Sequence, residues 1–284
     1  MTKWSEMEAL REAFGHVARK AGAAGGDGQT TSQFAHGLEA KLMRLSTDIR
    51  DNNLQPGRHF IITKKKLSGG VRRISIPCVR DRVWQTALAW HLANLWDRRM
   101  ADTSFAYRAG RSVEDAVARA TVYRLRGYVF VAQADITTYF DRLRHGDMRM
   151  LIKQEGRCEW ATNITTKWLK AYATEMTRFG MEKDHGIPQG SPLSPILANH
   201  ILTNFDLAMN GKGLKLLRYA DNILLMARGA DEVKAGLRRV ASLLATMGLR
   251  LNDEKTEFAS LASAQVSMNF LGYAFQSDRL KRVG

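Results

Sequence analysis

Residues 218–225 read RYADNILL and decide the fold, because they place a carboxylate and an amide at the bend between two apolar runs. The runs are residues 214–219 and 223–227, and Ala220, Asp221 and Asn222 separate them. Two apolar runs joined by so short a polar segment predict a β-hairpin. Asp221 is therefore expected at the tip of a hairpin, next to apolar strands.

A second aspartate follows another apolar segment. Residues 128–134 (YVFVAQA) are typical of a buried strand, and Asp135 comes directly after them. Desolvating a lone carboxylate is costly, and two carboxylates brought together repel each other unless a divalent cation lies between them. Oxygen ligands of this kind suit Mg²⁺ in phosphoryl transfer. Either aspartate alone is also explained as a cap at a strand end, whereas the pair favours a metal site.

The charge balance indicates a polyanionic partner. The chain has 284 residues, with 43 Lys and Arg against 28 Asp and Glu, a formal net charge of +15. Such an excess causes self-repulsion unless a polyanion neutralises it, so nucleic acid is the predicted partner and a merely basic soluble protein is the alternative. A hydrophobic content of 45% is enough for a substantial core.

Membrane, secretion and disulfide classes are not favoured. No apolar stretch approaches the roughly 18 residues needed to span a bilayer, and the N-terminus lacks the apolar run of a signal peptide. Cys78 and Cys158 show no CxxC spacing, which argues against a zinc site or a disulfide framework. We therefore expect a cytoplasmic protein with no membrane partner.

Helical and strand patterns alternate along the chain. The predicted strands outside the motifs above form a hairpin over residues 59–63 and 71–76. The predicted helices span residues 34–51, 82–98 with Asp81 as cap, a segment opening at the capping box of Ser112, residues 194–211, and residues 231–247. This mixed order favours an α+β fold over a doubly wound parallel sheet.

Seven segments, taken together, resemble the motifs of reverse transcriptases. Three are catalytic motifs in the expected order: QADITTYFD around Asp135, GIPQGSPLSPILAN at 186–199, and RYADNILL. The others are GGVRRISIPCVRDRVWQTAL and SFAYRAGRSVEDAV upstream, and GLRLNDEKTEF and NFLGYAF downstream. They are similar to the group II intron-like bacterial branch, which includes retron, CRISPR-associated and defence-associated enzymes. The resemblance covers roughly residues 25 to 275.

This resemblance implies an α+β, right-hand palm-and-fingers polymerase core with an antiparallel palm sheet. It divides the chain into an N-terminal extension (1–30), fingers with parts of the palm (31–126), palm (127–275) and a C-terminal tail (276–284). The thumb that normally follows is expected to be minimal or absent. Three explanations stay open: the chain is a fragment, it has a minimal thumb, or an accessory protein or a second copy supplies the surface that holds the duplex.

The resemblance also implies an RNA-directed DNA polymerase that adds deoxynucleoside triphosphates to a DNA primer with two Mg²⁺ ions, for which Mn²⁺ can substitute. The expected template is a structured noncoding RNA, in antiphage defence or a retroelement. Two alternatives stay open: a non-catalytic RNA-binding or assembly protein, and template-independent or protein-primed synthesis.

Metal and catalytic roles follow from the matched motif positions. Asp135 and Asp221 are the implied principal metal ligands, with Asn222 and the Ile136 carbonyl oxygen as further ligands. Lys255 occupies the place of a lysine that protonates the departing pyrophosphate, and a solvated helix-end lysine is the alternative.

Nucleotide and nucleic-acid roles follow in the same way. The implied nucleotide-binding residues are Lys66 and Arg72 for the triphosphate, Phe140 against the sugar, and Gln189, whose loop Pro188, Gly190 and Pro192 shape. The implied nucleic-acid contacts are Lys64, Lys65, Arg73, Arg108 and Arg111. For Lys64, Lys65 and Arg73 the alternative is solvent, and for Phe140 it is a place in the hydrophobic core. For Arg108 and Arg111 the alternative is a salt bridge to Glu114 or Asp115.

Asn222 departs from the family pattern, which usually has a second aspartate there. Asparagine offers a neutral carbonyl oxygen, so it still ligates a metal but without the full charge attraction. Three explanations stay open: an engineered substitution, a natural variant that works through Asp135 and Asp221, and a protein that has lost catalysis.

Overall fold

The computed structural model describes residues 3–65, 71–155, 159–209, 211, 213–262, 267–275 and 280–282. The chain forms two units, each made of two segments. The first unit comprises Met1–Arg98 and Phe140–Ile201, and the second comprises Arg99–Tyr139 and Leu202–Gly284. The division into contiguous domains at residues 30, 126 and 275 stays a prediction.

Helices and strands interleave, which confirms the predicted α+β class. The helices are α1 Met7–Arg19, α2 Thr31–Ala35, α3 Leu38–Arg50, α4 Val79–Trp96, α5 Val113–Leu125, α6 Tyr139–Arg142, α7 His145–Glu155, α8 Glu159–Met176, α9 Ser194–Ile201, α10 Thr203–Met209 and α11 Ala230–Thr246. The strands are β1 Phe60–Lys65, β2 Val71–Ile76, β3 Phe130–Asp135, β4 Leu214–Tyr219, β5 Asn222–Ala227, β6 Glu257–Ser260, β7 Met268–Phe270, β8 Tyr273–Phe275 and β9 Leu280–Arg282. Helices α7 and α8 were not predicted.

The first unit is built around α4, which is buried on nearly every side. Val83, Trp84, Leu88 and Leu92 have no exposed surface, as expected of a helix that is apolar all round. Helix α1 packs against α4, and Trp84 meets Trp168 of α8 edge to face, with 6.2 Å between ring centroids.

The predicted cap of α4 was wrong. The helix begins at Val79 with Cys78 as cap, so Asp81 lies inside the first turn and is fully buried. Its carboxylate accepts a hydrogen bond of 2.6 Å from the Gly57 amide and another of 3.3 Å from Trp84 Nε1. These bonds and the positive end of the helix dipole offset the desolvation of the carboxylate. Asp81 therefore ties a loop to the helix.

Two predicted helices are each divided. Residues 34–51 split between α2 and α3, because Gly37 adopts the left-handed conformation with φ of 66°. Residues 194–211 split into α9 and α10 on either side of the fully buried Leu202, with no glycine or proline at the break. The capping box at Ser112 is confirmed: its hydroxyl accepts from the Asp115 amide, and the Asp115 carboxylate accepts from the Ser112 amide.

The second unit contains a four-stranded antiparallel sheet in the order β4-β5-β3-β6, which confirms the predicted antiparallel palm sheet. Helix α5 packs on β4, and α11 packs on β3 and β5. The core includes Val131, Leu217, Leu224, Met226 and Phe270. A second sheet, β7-β8-β9, lies at the end of the chain.

Among the described residues, none of the helices combines the length and the apolar character that crossing a membrane requires.

Candidate active site

The sheet register places Asp135 opposite Asn222. Asp135 is the last residue of β3, Asn222 is the first residue of β5, and their Cα atoms are paired in the antiparallel ladder. Directly opposed residues project from the same face of a sheet. The carboxylate of Asp135 and the amide of Asn222 therefore share one face at one end of the sheet.

The hairpin tip brings Asp221 to the same end. Tyr219 and Asn222 are paired, so the bend has only two residues, Ala220 and Asp221. The Ile136 amide donates a hydrogen bond of 3.2 Å to the Asp221 carbonyl oxygen. This bond ties the hairpin tip to the residue that follows Asp135, and the two predicted metal ligands are thereby brought together.

The tip has a strained backbone. Ala220 has φ of 56°, a left-handed conformation at the first bend position, where tight hairpins favour glycine, asparagine or aspartate. For an alanine this conformation costs about 1 kcal/mol. The Arg218 guanidinium donates to the Ala220 carbonyl oxygen at 3.0 Å, so a neighbouring side chain holds the strained turn.

Arg218 belongs to a fully buried ion pair that the sequence analysis missed. Its Nε and Nη2 atoms donate to the two carboxylate oxygens of Asp206 at 2.7 and 2.6 Å, and Nη2 also donates to Ser104 Oγ at 2.9 Å. Burial lowers the pKa of Arg218, but the charge and hydrogen bonds of Asp206 outweigh it and raise the pKa overall. An arginine inside the apolar strand LKLLRY was the available signal, since buried charges are paired.

Lys255 reaches Asp135 from a separate turn. The Asn252 amide donates to the Asp135 carbonyl oxygen at 2.8 Å, and the short 3₁₀ turn Asp253–Lys255 follows. Lys255 Nζ lies 2.8 Å from Asp135 Oδ2. The pKa of Lys255 is raised, mainly by its hydrogen bond to Asp135 and by the negative charge of Asp135. The charge of Asp221 adds to this effect. Lys255 is half-exposed but paired, so it is more than a solvated lysine.

These side chains suit a divalent cation. Asp135, Asp221 and Asn222 offer hard oxygen atoms, and the ammonium of Lys255 shows that a positive charge is stabilised beside them. Within the part of the chain that the structure describes, no group of three or more His, Cys, Asp or Glu forms a metal cluster, and Asn222 contributes an amide oxygen in place of a third carboxylate. The Ile136 side chain is buried, and ligation by its carbonyl oxygen stays a prediction.

In the first unit, the structure brings together Arg72 and Gln189, two of the predicted nucleotide ligands. Arg72 Nε donates to Gln189 Oε1 at 2.8 Å, and the Ser75 amide donates to the Gln189 carbonyl oxygen at 2.7 Å. Gly190 has φ of 123°, and a Cβ there would overlap the Ser75 carbonyl oxygen. Only glycine allows this backbone approach, which explains the glycine of the Pro-Gln-Gly turn.

The remaining predicted ligands of the first unit are less constrained. Phe140 is half-buried, and its carbonyl oxygen accepts from the Ile187 amide at 2.9 Å. Lys64 and Lys65 are exposed at the end of β1, and the Arg73 guanidinium lies 4.5 Å from the centre of the Phe179 ring. Lys66 lies outside the described residues. The roles of all five stay predictions.

The two arginines near α5 have structural partners. Arg108 is buried, and its Nη1 donates to the carbonyl oxygens of Ala101 and Ser104 at 2.7 and 2.9 Å. Arg108 is thus held by carbonyl oxygens of its own loop, and its contact with phosphates stays a prediction. Arg111 pairs with Asp102 at 2.7 Å rather than with Glu114 or Asp115.

The chain matches one family model and several known proteins. The model, described as reverse transcriptase (RNA-dependent DNA polymerase), matches residues 62–275. Protein YkfC of Escherichia coli (strain K12) is 25% identical in an alignment 292 positions long, which covers 88% of this chain and 74% of YkfC. The group II intron-encoded protein LtrA of Lactococcus lactis subsp. cremoris is 29% identical over 171 residues, covering 59% of this chain and 28% of LtrA.

A shorter match involves the retron Ec86 reverse transcriptase of Escherichia coli, 36% identical over 74 residues, which are 25% of this chain and 23% of that enzyme. The chain thus spans most of YkfC but less than a third of the other two relatives.

Solved structures share the fold. The apo telomerase of Candida tropicalis superposes with a TM-score of 0.57 at 12% identity, over 87% of this chain and 52% of that one. The telomerase of Candida albicans, solved with a fragment of telomeric RNA, also gives 0.57, at 13% identity, over 89% of this chain and 51% of that one.

Proposed function

Because the chain belongs to the reverse transcriptase family, with relatives among group II intron proteins and a retron enzyme, we propose that it is an RNA-directed DNA polymerase. It adds deoxynucleotides to the 3′ end of a DNA primer on an RNA template. The observation that carries the proposal is the convergence of Asp135, Asp221, Asn222 and Lys255 at one end of the β3–β5 ladder.

Members of this family generally use divalent metal ions, and we propose two Mg²⁺ ions here, with Mn²⁺ as a substitute. When bound, such ions activate the primer hydroxyl and stabilise the pyrophosphate. Asp135 and Asp221 would hold them, with the neutral amide oxygen of Asn222 as a weaker third ligand.

Lys255 supplies a proton in this proposal. Its ammonium is stabilised by Asp135, which makes it a poor acid while the ion pair lasts. Once the charge of Asp135 is taken up by another cation, this support is lost and the pKa of Lys255 falls toward its ordinary value. Nζ then becomes a better donor to the leaving pyrophosphate.

The nucleotide is held by residues of the first unit in this proposal. The Arg72 guanidinium neutralises the triphosphate, and the Gln189 side chain contacts the nucleotide once it releases Arg72. Phe140 excludes a ribose 2′-hydroxyl. The template in this proposal is a structured noncoding RNA and the primer is DNA. A supporting protein or a second copy of the chain helps to hold the duplex. The proposed setting is antiphage defence or a retroelement, in the cytoplasm.

Primer extension on an RNA template tests the function, with this chain, Asn222→Asp and Asp135→Ala compared. Restoring the second carboxylate should raise the rate of incorporation at least about tenfold, because stabilising the transition state by about 1.4 kcal/mol raises a rate tenfold. Asp135→Ala should abolish incorporation. Asn204→Asp, the same change at an exposed position of α10, serves as control and should match this chain.

Two outcomes would contradict the proposal. If neither this chain nor Asn222→Asp incorporates nucleotide on any template and primer tried, the polymerase assignment fails. Incorporation of ribonucleotides as readily as deoxynucleotides would remove the role given to Phe140.

Asn222 itself favours one second candidate, a non-catalytic RNA-binding protein that keeps the fold. That protein would bind RNA with unchanged affinity in all three variants and incorporate nothing in any of them.

A further inference from the structure

The second unit contains an open cavity of about 690 Å³ whose walls are basic and aromatic. Its cationic residues are Arg119, Arg126, Lys215 and Arg228, and its aromatic residues are Tyr123 and Tyr128. Val122 is the remaining described residue of the lining, so none of the described residues around this basic cavity is acidic.

The basic cavity lies at the end of the sheet opposite to the carboxylates. Tyr128 precedes β3, which Asp135 ends, and Arg228 follows β5, which Asn222 begins. Lys215 is near the start of β4, whose far end leads into the turn that carries Asp221. At about 3.3 Å per residue, the length of β3 puts roughly 20 Å between the cavity and Asp135.

The tyrosine rings hold two of the cations in place. Lys215 Nζ lies 5.8 Å from the centre of the Tyr123 ring and 5.3 Å from that of Tyr128, and Arg228 Cζ lies 4.9 Å from the Tyr128 centre. Both rings pack against the core of the unit, and Arg228 Nη2 donates to the Arg126 carbonyl oxygen at 3.2 Å. Cations restrained in this way lose less side-chain entropy when an anion binds.

The charge of Arg119 reaches the carboxylate of Asp102 and helps to lower its pKa, without a close ion pair. Among the residues that the structure describes, none of the four cationic residues of the cavity has an ion pair with an aspartate or glutamate. Glu232 is close to Arg228 in the sequence, but its carboxylate accepts a hydrogen bond from the Gly229 amide and thereby caps α11. Four like charges around one concave site repel each other, and this repulsion is relieved when a polyanion binds.

We propose that the basic cavity binds the phosphodiester backbone of a single-stranded nucleic acid, as an anchoring site separate from the candidate active site. A single strand fits better than a duplex, because it enters a concave site of this size and its unpaired bases and sugars can contact tyrosine rings. The site holds the strand roughly 20 Å from Asp135 and does not require catalysis.

Salt-dependent binding of a labelled single strand tests this site. The protein is titrated with an RNA strand and with a DNA strand of the same sequence, without primer or nucleotide and in the presence of a chelator, so that metal-bridged contacts at Asp135 and Asp221 do not contribute. We compare the intact chain with Lys215→Ala/Arg228→Ala. Each phosphate contact to a single strand contributes about 0.7 to the slope of log affinity against log salt concentration.

Lys215→Ala/Arg228→Ala should weaken binding at least about fivefold at 0.1 M salt. It should also reduce the steepness of log affinity against log salt concentration by about 1.4, because two phosphate contacts of about 0.7 each are lost. Lys234→Ala/Arg238→Ala removes the same net charge from exposed positions of α11 outside the cavity and should leave the slope unchanged. Tyr128→Phe keeps the ring and should bind as the intact chain does, whereas Tyr128→Leu should weaken binding. A larger effect for one of the two strands identifies RNA or DNA as the occupant.

Equal losses in the two double variants would show that only net charge matters and would overturn the proposal, as would unchanged binding in Lys215→Ala/Arg228→Ala. Thermal unfolding of each variant establishes that it is folded. Because the measurement needs no nucleotide incorporation, failure of the polymerase proposal in primer extension leaves this test intact, and the two results are distinguishable.

Discussion

Lys255 and Asp135, 120 positions apart in the chain, form an ion pair with 2.8 Å between Nζ and Oδ2. The strand that ends in Asp135 and the turn that carries Lys255 are joined by backbone hydrogen bonds on both sides of Ile136. The ion pair therefore occupies an oxygen atom that we assign to a metal ion. In the function that we propose, the lysine and the metal ion therefore compete for this carboxylate.

The first prediction follows from that competition. Lys255→Met removes the competing ammonium, so Mn²⁺ should bind about 3- to 10-fold more tightly, a modest effect because the pair is partly exposed to solvent. Isothermal titration calorimetry with Mn²⁺ alone measures it. Lys234→Met, at an exposed position of α11, is the control and should leave affinity unchanged. Weaker binding in Lys255→Met would show that the lysine supports the metal site instead of competing with the metal.

The second prediction concerns the buried pair of Arg218 and Asp206. Asp206→Asn leaves the guanidinium buried without its counter-charge, and the free energy of unfolding should fall by about 3–5 kcal/mol. Urea denaturation measures the loss. The exposed pair of Arg144 and Asp147 gives the control, since Asp147→Asn should cost less than about 1 kcal/mol. If Asp206→Asn and Asp147→Asn lowered the free energy of unfolding by similar amounts, burial of the Arg218–Asp206 pair would not be what makes it important for stability.

The third prediction concerns the left-handed residue at the hairpin tip. Ala220→Val places a β-branched side chain at φ of 56° and should lower the free energy of unfolding by about 1–2 kcal/mol. Ala220→Gly should change stability by less than about 1 kcal/mol, because relief of strain offsets the entropy that glycine gains in the unfolded chain. Thermal denaturation of both variants measures these differences. A valine that is tolerated as well as glycine would disprove the strain.

The fourth prediction concerns the hydrogen bond between Arg72 and Gln189. This bond is exposed, so Gln189→Ala should change the free energy of unfolding by less than about 0.5 kcal/mol. In the Asn222→Asp background, the KM for deoxynucleotides should rise about 5- to 10-fold, the value of one hydrogen bond. Steady-state primer extension measures it, and Gln154→Ala, at an exposed position of α7, should leave KM unchanged. A fall in kcat with constant KM would assign Gln189 to the chemical step.

Patterns that are local in the chain predicted much of the structure. The apolar runs around Asp135 and Asp221 gave both strands of the central hairpin and β3, because strand periodicity and turn chemistry act within a few residues. Gly37 could have indicated the break between α2 and α3. It was overlooked because the apolar residues on either side keep helical spacing across it. The capping box at Ser112 was predicted correctly for the same local reason.

Contacts between distant residues were beyond such patterns. No spacing rule connects Arg218 with Asp206 and Ser104, although an arginine in an apolar strand signals that some partner exists. Likewise, the resemblance assigned Lys255 to chemistry but not to an ion pair with Asp135. The partners of Arg108 were not predicted either, because burial of a loop arginine depends on the carbonyl oxygens that the folded loop presents.

The close approach of Gly190 to Ser75 has a mechanical consequence. Backbone touches backbone there, the Gln189 carbonyl oxygen is bonded to the Ser75 amide, and the Gln189 side chain is bonded to Arg72 on the same strand. Three contacts therefore join strand β2 to the Pro-Gln-Gly turn. In the function that we propose, a triphosphate that binds Arg72 also shifts the backbone of Gln189, so that binding of the phosphates and positioning of the Pro-Gln-Gly turn are coupled.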